Sequence, residues 1–158
     1  MNHWRKRLTP FWESRAPMFI HLAAARSGHI PFCCRGYGFL TDTEPDRIWI
    51  FILRSQWRKI DEYLAYNQEL AVLMTSGEDN ESYQIKGRFL ERRTMNMEEV
   101  SALEHMRAMA SLYASGLESL YMVSPSDCLS IGIGIRSTYV QTPGPEAGAR
   151  LAEGEDFA

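Results

Sequence analysis

"DCLSIGIGIRSTYV", Asp127–Val140, decides the architecture, because sustained alternation of apolar and small or polar residues is the pattern of a strand. Leu129, Ile131, Ile133 and Ile135 fall on one face, and Ser130, Gly132, Gly134 and Arg136 on the other. The second face is nearly bare. Two glycines on one strand face signal a close approach to the backbone by a neighbouring strand, a partner subunit or a flat ligand. The strand runs into "YVQTPGPEAG", Tyr139–Gly148, where neither Pro143 nor Pro145 can donate to a ladder. These prolines are expected to end the strand or to hold an exposed edge in an extended form.

Upstream, further elements alternate in kind. "HIPFCCRGYGFL" and "RIWIFIL" are rich in β-branched and aromatic residues and flank the turn-forming "TDTEPD", which predicts a hairpin. From Ser55, "SQWRKIDEYLAYNQ" places Trp57, Ile60 and Leu64 at helical spacing, with Arg58, Asp61 and Glu62 turned outward. "LAVLMTSG" then reads as a strand buried on both faces. "ESYQIKGRFLE" follows the "EDN" turn, with Tyr83, Ile85, Gly87 and Phe89 alternating against Ser82, Gln84, Lys86 and Arg88. That predicts a second hairpin with one wet face.

Helices occupy the remainder. Thr9 and Pro10 suit a helix start, and "PMFIHLAAAR" reads as a second helical piece closing at Gly28, with His21 in a structural or surface role. Asn96 and Glu99 are spaced as a capping box ahead of a stripe through Val100, Leu103, Met106, Met109 and Leu112, which leaves His105 and Arg107 on the solvent side. The expected fold is mainly β (α+β): a six-stranded antiparallel split barrel with peripheral helices.

Composition narrows the function. A chain of 158 residues with 45% hydrophobic content suits one domain, expected over residues 1–151, with residues 152–158 a flexible acidic tail. A net charge of -3 lacks the basic footprint of a nucleic-acid binder. "RKR" at Arg5–Arg7 is not followed by an unbroken apolar segment, and nothing approaches the length of a membrane span, so a cytoplasmic location is expected. Cys33, Cys34 and Cys128 fit no zinc or disulfide spacing and read as small packing residues, with at most one of the adjacent pair buried. No metal site is expected.

"YQIKGRF", "LRSQ" and the closing "YVQTPGPEAG", set in this order of elements, resemble the pyridoxamine 5'-phosphate oxidase-like family, the FMN-binding split barrels, over Leu8–Leu151. The closing motif is similar to the "QTPGPGAG" of one subfamily. The resemblance implies a homodimer with two FMN sites at the subunit interface, and an extended Pro-Gly segment laid over the barrel or its partner. Nothing after Tyr139 matches the Trp-, Arg- and His-rich ending that holds the substrate in the vitamin B6 oxidases themselves.

Candidate ligand contacts fall in two groups. Arg54, Ser55, Arg58 and Lys59 surround a predicted helix N-terminus, where the helix dipole disfavours cations and favours an anion such as the flavin phosphate. Arg58 and Lys59 resemble the family's Arg-Lys pair, and the alternative is a solvated basic patch paired to Asp61 or Glu62. Ser82 and Gln84 are placed to hydrogen-bond the polar edge of an isoalloxazine ring, with Gln141 and Thr142 as weaker candidates from a neighbouring subunit. Lys86 and Arg88 suit either an acidic substrate or a solvated face. The functional expectation is an FMN-dependent oxidoreductase with an unidentified small substrate. The alternatives are a non-catalytic binder of flavin, deazaflavin, haem or another planar ligand, and an empty barrel acting through its surface.

Overall fold

A computed structural model describes residues 3–42 and 46–151. The acidic tail expected at 152–158 and the middle of the "TDTEPD" turn lie outside the described residues. The chain order is α1 (His3–Trp12), β1 (Met18–Ala24), β2 (Phe32–Asp42), β3 (Arg47–Leu53), α2 (Arg54–Leu64), β4 (Glu69–Ser76), β5 (Ser82–Thr94), α3 (Met97–Tyr113), β6 (Cys128–Val140) and β7 (Arg150–Leu151), with two short 3₁₀ turns between α3 and β6. All pairings are antiparallel in the order β3-β2-β1-β4-β5-β6-β7, and β3 also pairs with β6. Six strands therefore close into a barrel, and β7 lies outside the ring.

The barrel interior is a single apolar core. Ile48, Ile50 and Ile52 of β3 meet Ile20, Leu22, Val72, Met74, Ile85, Ile131 and Ile133 there, with Leu8 and Phe11 from α1 and Ile60 and Leu64 from α2. Phe11 packs edge-on against Tyr83 at 4.9 Å, which fixes α1 at the end of the barrel where β5 begins.

β3 is the strand buried on both faces, since Trp49 and Phe51 point outward into a second small core with Leu103 of α3. Each of these aromatic rings contributes about 1.5–3 kcal/mol by leaving water. The expectation of two buried faces for "LAVLMTSG" is corrected: in β4, Leu70, Val72 and Met74 face the core, while Glu69 and Leu73 are exposed.

Three further expectations change. "PMFIHLAAAR" is not a helix but contains β1, whose Met18, Ile20, Leu22 and Ala24 point inward because β2 and β4 pair with it on either side. α1 begins before Thr9 and contains Pro10, while the Thr9 hydroxyl donates to the Arg5 carbonyl one turn back. On α3 the capping box forms and Leu103, Met106 and Met109 are buried, but Leu112 is 87% exposed, and Arg107 is half-buried with its guanidinium donating to the carbonyls of Tyr121 and Val123.

The bare face of β6 is covered within the chain. A Cβ on Gly132 would stand 2.8 Å from the Trp49 ring, so the neighbouring strand is what approaches the backbone there. Ser130 donates to Glu99 Oε2. Glu99 is fully buried, and its Oε1 also accepts from Arg93 Nε at 3.1 Å and from the Asn96 backbone N–H at 3.1 Å. One carboxylate thus fastens the start of α3 to β5 and β6. In the Lys-Gly pair of "YQIKGRF", Gly87 sits at a register shift where any Cβ would collide with the Gly134 carbonyl.

Candidate functional site

The two groups of candidate residues are not in contact, but one cross-strand row connects them. α2 starts two residues beyond Ile52, which opposes Gly36 of β2. Beside Gly36, Arg35 pairs with His21, His21 with Leu73, Leu73 with Gln84, and Gln84 with Tyr139. From β2 to β5 the row crosses three strand spacings, about 14 Å along the sheet. α3 packs against β2 and leaves the outer face of β1, β4 and β5 uncovered: His21, Leu73 and Lys86 are exposed there.

At one end of the row the α2 N-terminus has Leu53 at the cap position, no side-chain cap and no acidic residue in its first turn. Its orphan N–H groups are available to an anion. Arg54 and Ser55 are exposed. Arg58 Nε lies 3.9 Å from Glu62 Oε1 and Lys59 Nζ 3.5 Å from Oε2, so the ion pairs foreseen as the alternative to a phosphate contact are present. Exposed pairs of this kind contribute at most about 1 kcal/mol, and a phosphate would compete with them.

Arg35 was missed from the sequence as a candidate. Its Nη2 is buried without a hydrogen-bond partner among the described residues, and its guanidinium lies 5.3 Å from the ring centres of both Tyr37 and Tyr121 and bonds the Tyr121 side chain. Burial raises the Tyr121 phenol above its ordinary range, and the nearby Arg35 charge opposes that shift. The signal available in the sequence was one arginine inside the glycine-flanked aromatic run "RGYG".

At the other end, Leu73, Thr75, Ser82, Gln84 and Gln141 line a cavity of about 380 Å³. Three of the sequence candidates therefore meet. Ser82 is buried, and its hydroxyl lies 2.9 Å from both Thr75 Oγ1 and the Asn80 carbonyl, so it shapes the cavity wall. The side-chain amides of Gln84 and Gln141 make no hydrogen bond among the described residues, which leaves donors and acceptors for a ligand. Gln141 is held by its own backbone N–H, which donates to the Ser82 carbonyl at 2.8 Å.

The closing motif does not extend over the barrel. Gly148 N–H donates to the Val140 carbonyl and Val140 N–H to the Ala149 carbonyl, so the segment folds back and delivers β7 onto β6. Its prolines instead wall an open cleft of about 640 Å³ with Arg7, Asp79, Glu81, Tyr83 and Glu146. Arg7 Nη2 bonds Glu146 at 2.7 Å and the Tyr83 hydroxyl donates to Glu81 at 2.6 Å. Burial, reinforced by Glu81, pushes the Tyr83 phenol up. Of the candidate ligand contacts only Thr142 lines this cleft, whereas Ser82, Gln84 and Gln141 line the other cavity. Among the described residues no group of His, Cys, Asp and Glu could hold a metal, and no helix is long and apolar enough to cross a membrane.

No protein-family model and no curated protein matches the sequence. Solved structures do share its fold. General Stress Protein 26 from Bacillus anthracis superposes with a TM-score of 0.51 at 11% identity, over 87% of this chain and 93% of that one. A Clostridium acetobutylicum protein related to general stress protein 26 of B. subtilis, described as of the pyridoxinephosphate oxidase family, gives 0.52 at 10% identity over 90% and 92%. A NimC/NimA family protein from Clostridium acetobutylicum gives 0.50 at 14% identity over 89% and 87%.

Proposed function

We propose that this chain is an FMN-dependent oxidoreductase of the pyridoxamine 5'-phosphate oxidase-like family, acting on a small substrate in the cytoplasm as a homodimer. The observation that carries the reading is the polar cavity opening on the uncovered outer face of β4 and β5, with the uncapped α2 N-terminus and its basic residues at another edge of the barrel. The uncapped α2 N-terminus with Arg54, Ser55, Arg58 and Lys59 would hold the phosphate. Gln84 and Gln141, set by Ser82 and Thr75, would bond the polar edge of the ring. A bound flavin supplies the electron transfer, and the protein binds it, orients it and excludes water. A second copy over the exposed Leu73 face would provide that exclusion and complete the site.

One observation favours a second reading, carriage of a planar ligand without turnover. His21 is exposed on the row beside Leu73 and would supply an imidazole nitrogen to an iron porphyrin bound on that face. The visible spectrum after reconstitution separates haem from flavin, and bleaching by a reductant substrate separates catalyst from carrier.

Fluorescence titration with FMN and riboflavin tests the first reading. Replacing Arg58 and Lys59 together by alanine should cost about 1.5–3 kcal/mol for each charge-assisted phosphate bond removed, roughly tenfold to more than a hundredfold in FMN affinity. Riboflavin, which lacks the phosphate, should bind both proteins alike. Equal FMN affinity in the two proteins sinks the phosphate assignment, and absence of FMN binding by the wild type sinks the function.

A further inference from the structure

Next to the polar cavity lies a second one of about 280 Å³, lined by Ala23, Ala24, Ala25, Pro31, Asn67, Glu69, Leu70, Ala71 and Lys86. The strand register makes the two neighbours: Leu73 and Gln84 border the first, and Ala71 and Lys86, two residues along the same strands, border the second. Ala23, Ala25, Ala71 and Pro31 give this trough an apolar floor. Its position between the β1–β2 connection and the residues leading into β4 keeps it open at the rim of the face.

The polar groups of the trough are almost all engaged. Asn67 Nδ2 donates to the Ala25 carbonyl and its Oδ1 accepts from the Glu69 N–H. Glu69 is paired with Arg136 at 2.8 Å. Lys86 is the exception, with no ion pair among the described residues and only the Tyr139 ring beside it, 5.0 Å from its Nζ. Its strand neighbours Ala71 and Ser137 are small and leave the ammonium open to a ligand.

We propose that this trough is the substrate subsite, and that it takes a small molecule with an apolar body and a carboxylate, the carboxylate on Lys86 and the body on the alanine floor. The proposal rests on the flavin reading above, because only a ring in the neighbouring cavity makes the trough a place of reaction. An apolar carboxylate satisfies both halves of the trough, whereas a neutral analogue leaves the lysine without a counter-charge and an inorganic anion leaves the floor in water.

Calorimetric titration with benzoate and with its neutral analogue benzamide, on the protein with and without FMN, tests this. Benzoate should bind the FMN-loaded protein at least tenfold more tightly than benzamide. Lys86→Gln should abolish that preference while FMN affinity stays within twofold. Ala71→Phe, which fills the floor without touching the charge, should weaken both probes. Benzoate that binds no better than benzamide, or equally well to Lys86→Gln, overturns the trough assignment whatever FMN does. FMN failing to bind the wild type overturns the role as a substrate subsite, whatever benzoate does.

Discussion

Gly132 lies directly beneath the indole of Trp49, so that a Cβ there would stand 2.8 and 2.9 Å from two ring carbons. The indole cannot move away easily. Its Nε1 donates to Asp42 at 3.1 Å, the Arg93 guanidinium lies 3.6 Å over its face, and the residue is buried. Gly132→Ala should therefore destabilise the fold by about 1–3 kcal/mol through overpacking. Gly134→Ala is the control, because its nearest neighbour would be a Leu90 methyl at 3.5 Å, and its effect should stay within about 0.5 kcal/mol. Urea midpoints of the two variants check the contrast, and equal midpoints reject it.

Glu99 should be the most sensitive polar position in the chain. Glu99→Ala leaves the buried Ser130 hydroxyl and the Asn96 N–H without their acceptor and the half-exposed Arg93 without its carboxylate, at a cost of about 2–4 kcal/mol. Glu99→Gln keeps an acceptor and should lose less. Thermal melts of both variants test the order, and an unchanged melt for Glu99→Ala would exclude a structural role for the carboxylate.

Alkaline pH should weaken the fold through its thiols. Burial pushes Cys34 from 9.0 up to about 12, and burial with Asp127 nearby pushes Cys128 up to about 11. Above pH 9 the unfolded chain releases these protons while the folded one keeps them, so the stabilisation is complete below 9 and falls as pH rises. The slope is about 1.4 kcal/mol per pH unit for each thiol. Urea midpoints between pH 8 and 10 should show it, with a shallower slope in Cys34→Ala. Cys33 is exposed, and a thiol reagent should label it alone until the protein unfolds.

The closing loop should resist proteolysis. Pro143–Gly148 is spanned by backbone bonds at Val140, Gln141 and Thr142 and tied to α1 through Arg7 and Glu146. Limited digestion should spare it in the wild type. Arg7→Ala removes an exposed pair worth up to about 1 kcal/mol and a long 3.4 Å bond to the Tyr83 hydroxyl, so cleavage there should rise by less than about tenfold. Rapid cutting between Gln141 and Gly148 in the wild type would show that these bonds do not hold the loop in solution.

Light scattering should return the mass of a dimer at micromolar concentration. Leu73→Lys, on the exposed face, should shift the protein toward monomer without lowering its urea midpoint. A wild-type monomer throughout that range would reject both the dimer and any site completed by a second copy.

Much of the barrel was legible because alternation in "DCLSIGIGIRSTYV" and "ESYQIKGRFLE" maps directly onto one inward and one outward face. β1 was misread because "HLAAAR" favours a helix locally, and pairing on both sides outweighs that propensity; the inward Met18, Ile20 and Leu22 carried a period of two that could have revealed it. β3 and β4 are both apolar runs, and nothing local says which has a second layer over it. That depends on α3, which arrives more than forty residues later. Ser82, Gln84 and Gln141 were found as a group because strand parity predicts a shared face. Arg35 was not, since its missing partner is a property of the surroundings that spacing does not encode.

Closure of the barrel through β3 and β6 joins residues roughly eighty positions apart, from Leu53 with Cys128 to Arg47 with Gly134. The β2–β3 and β4–β5 hairpins need only short loops, but this seam must organise the whole intervening chain before its hydrogen bonds return any free energy. Folding should accordingly be slow for a domain of this size, in the millisecond to second range, with the seam zipped last. Until then the edges of β3 and β6 stand open, and the nascent chain is most prone to pair with a neighbour in that interval.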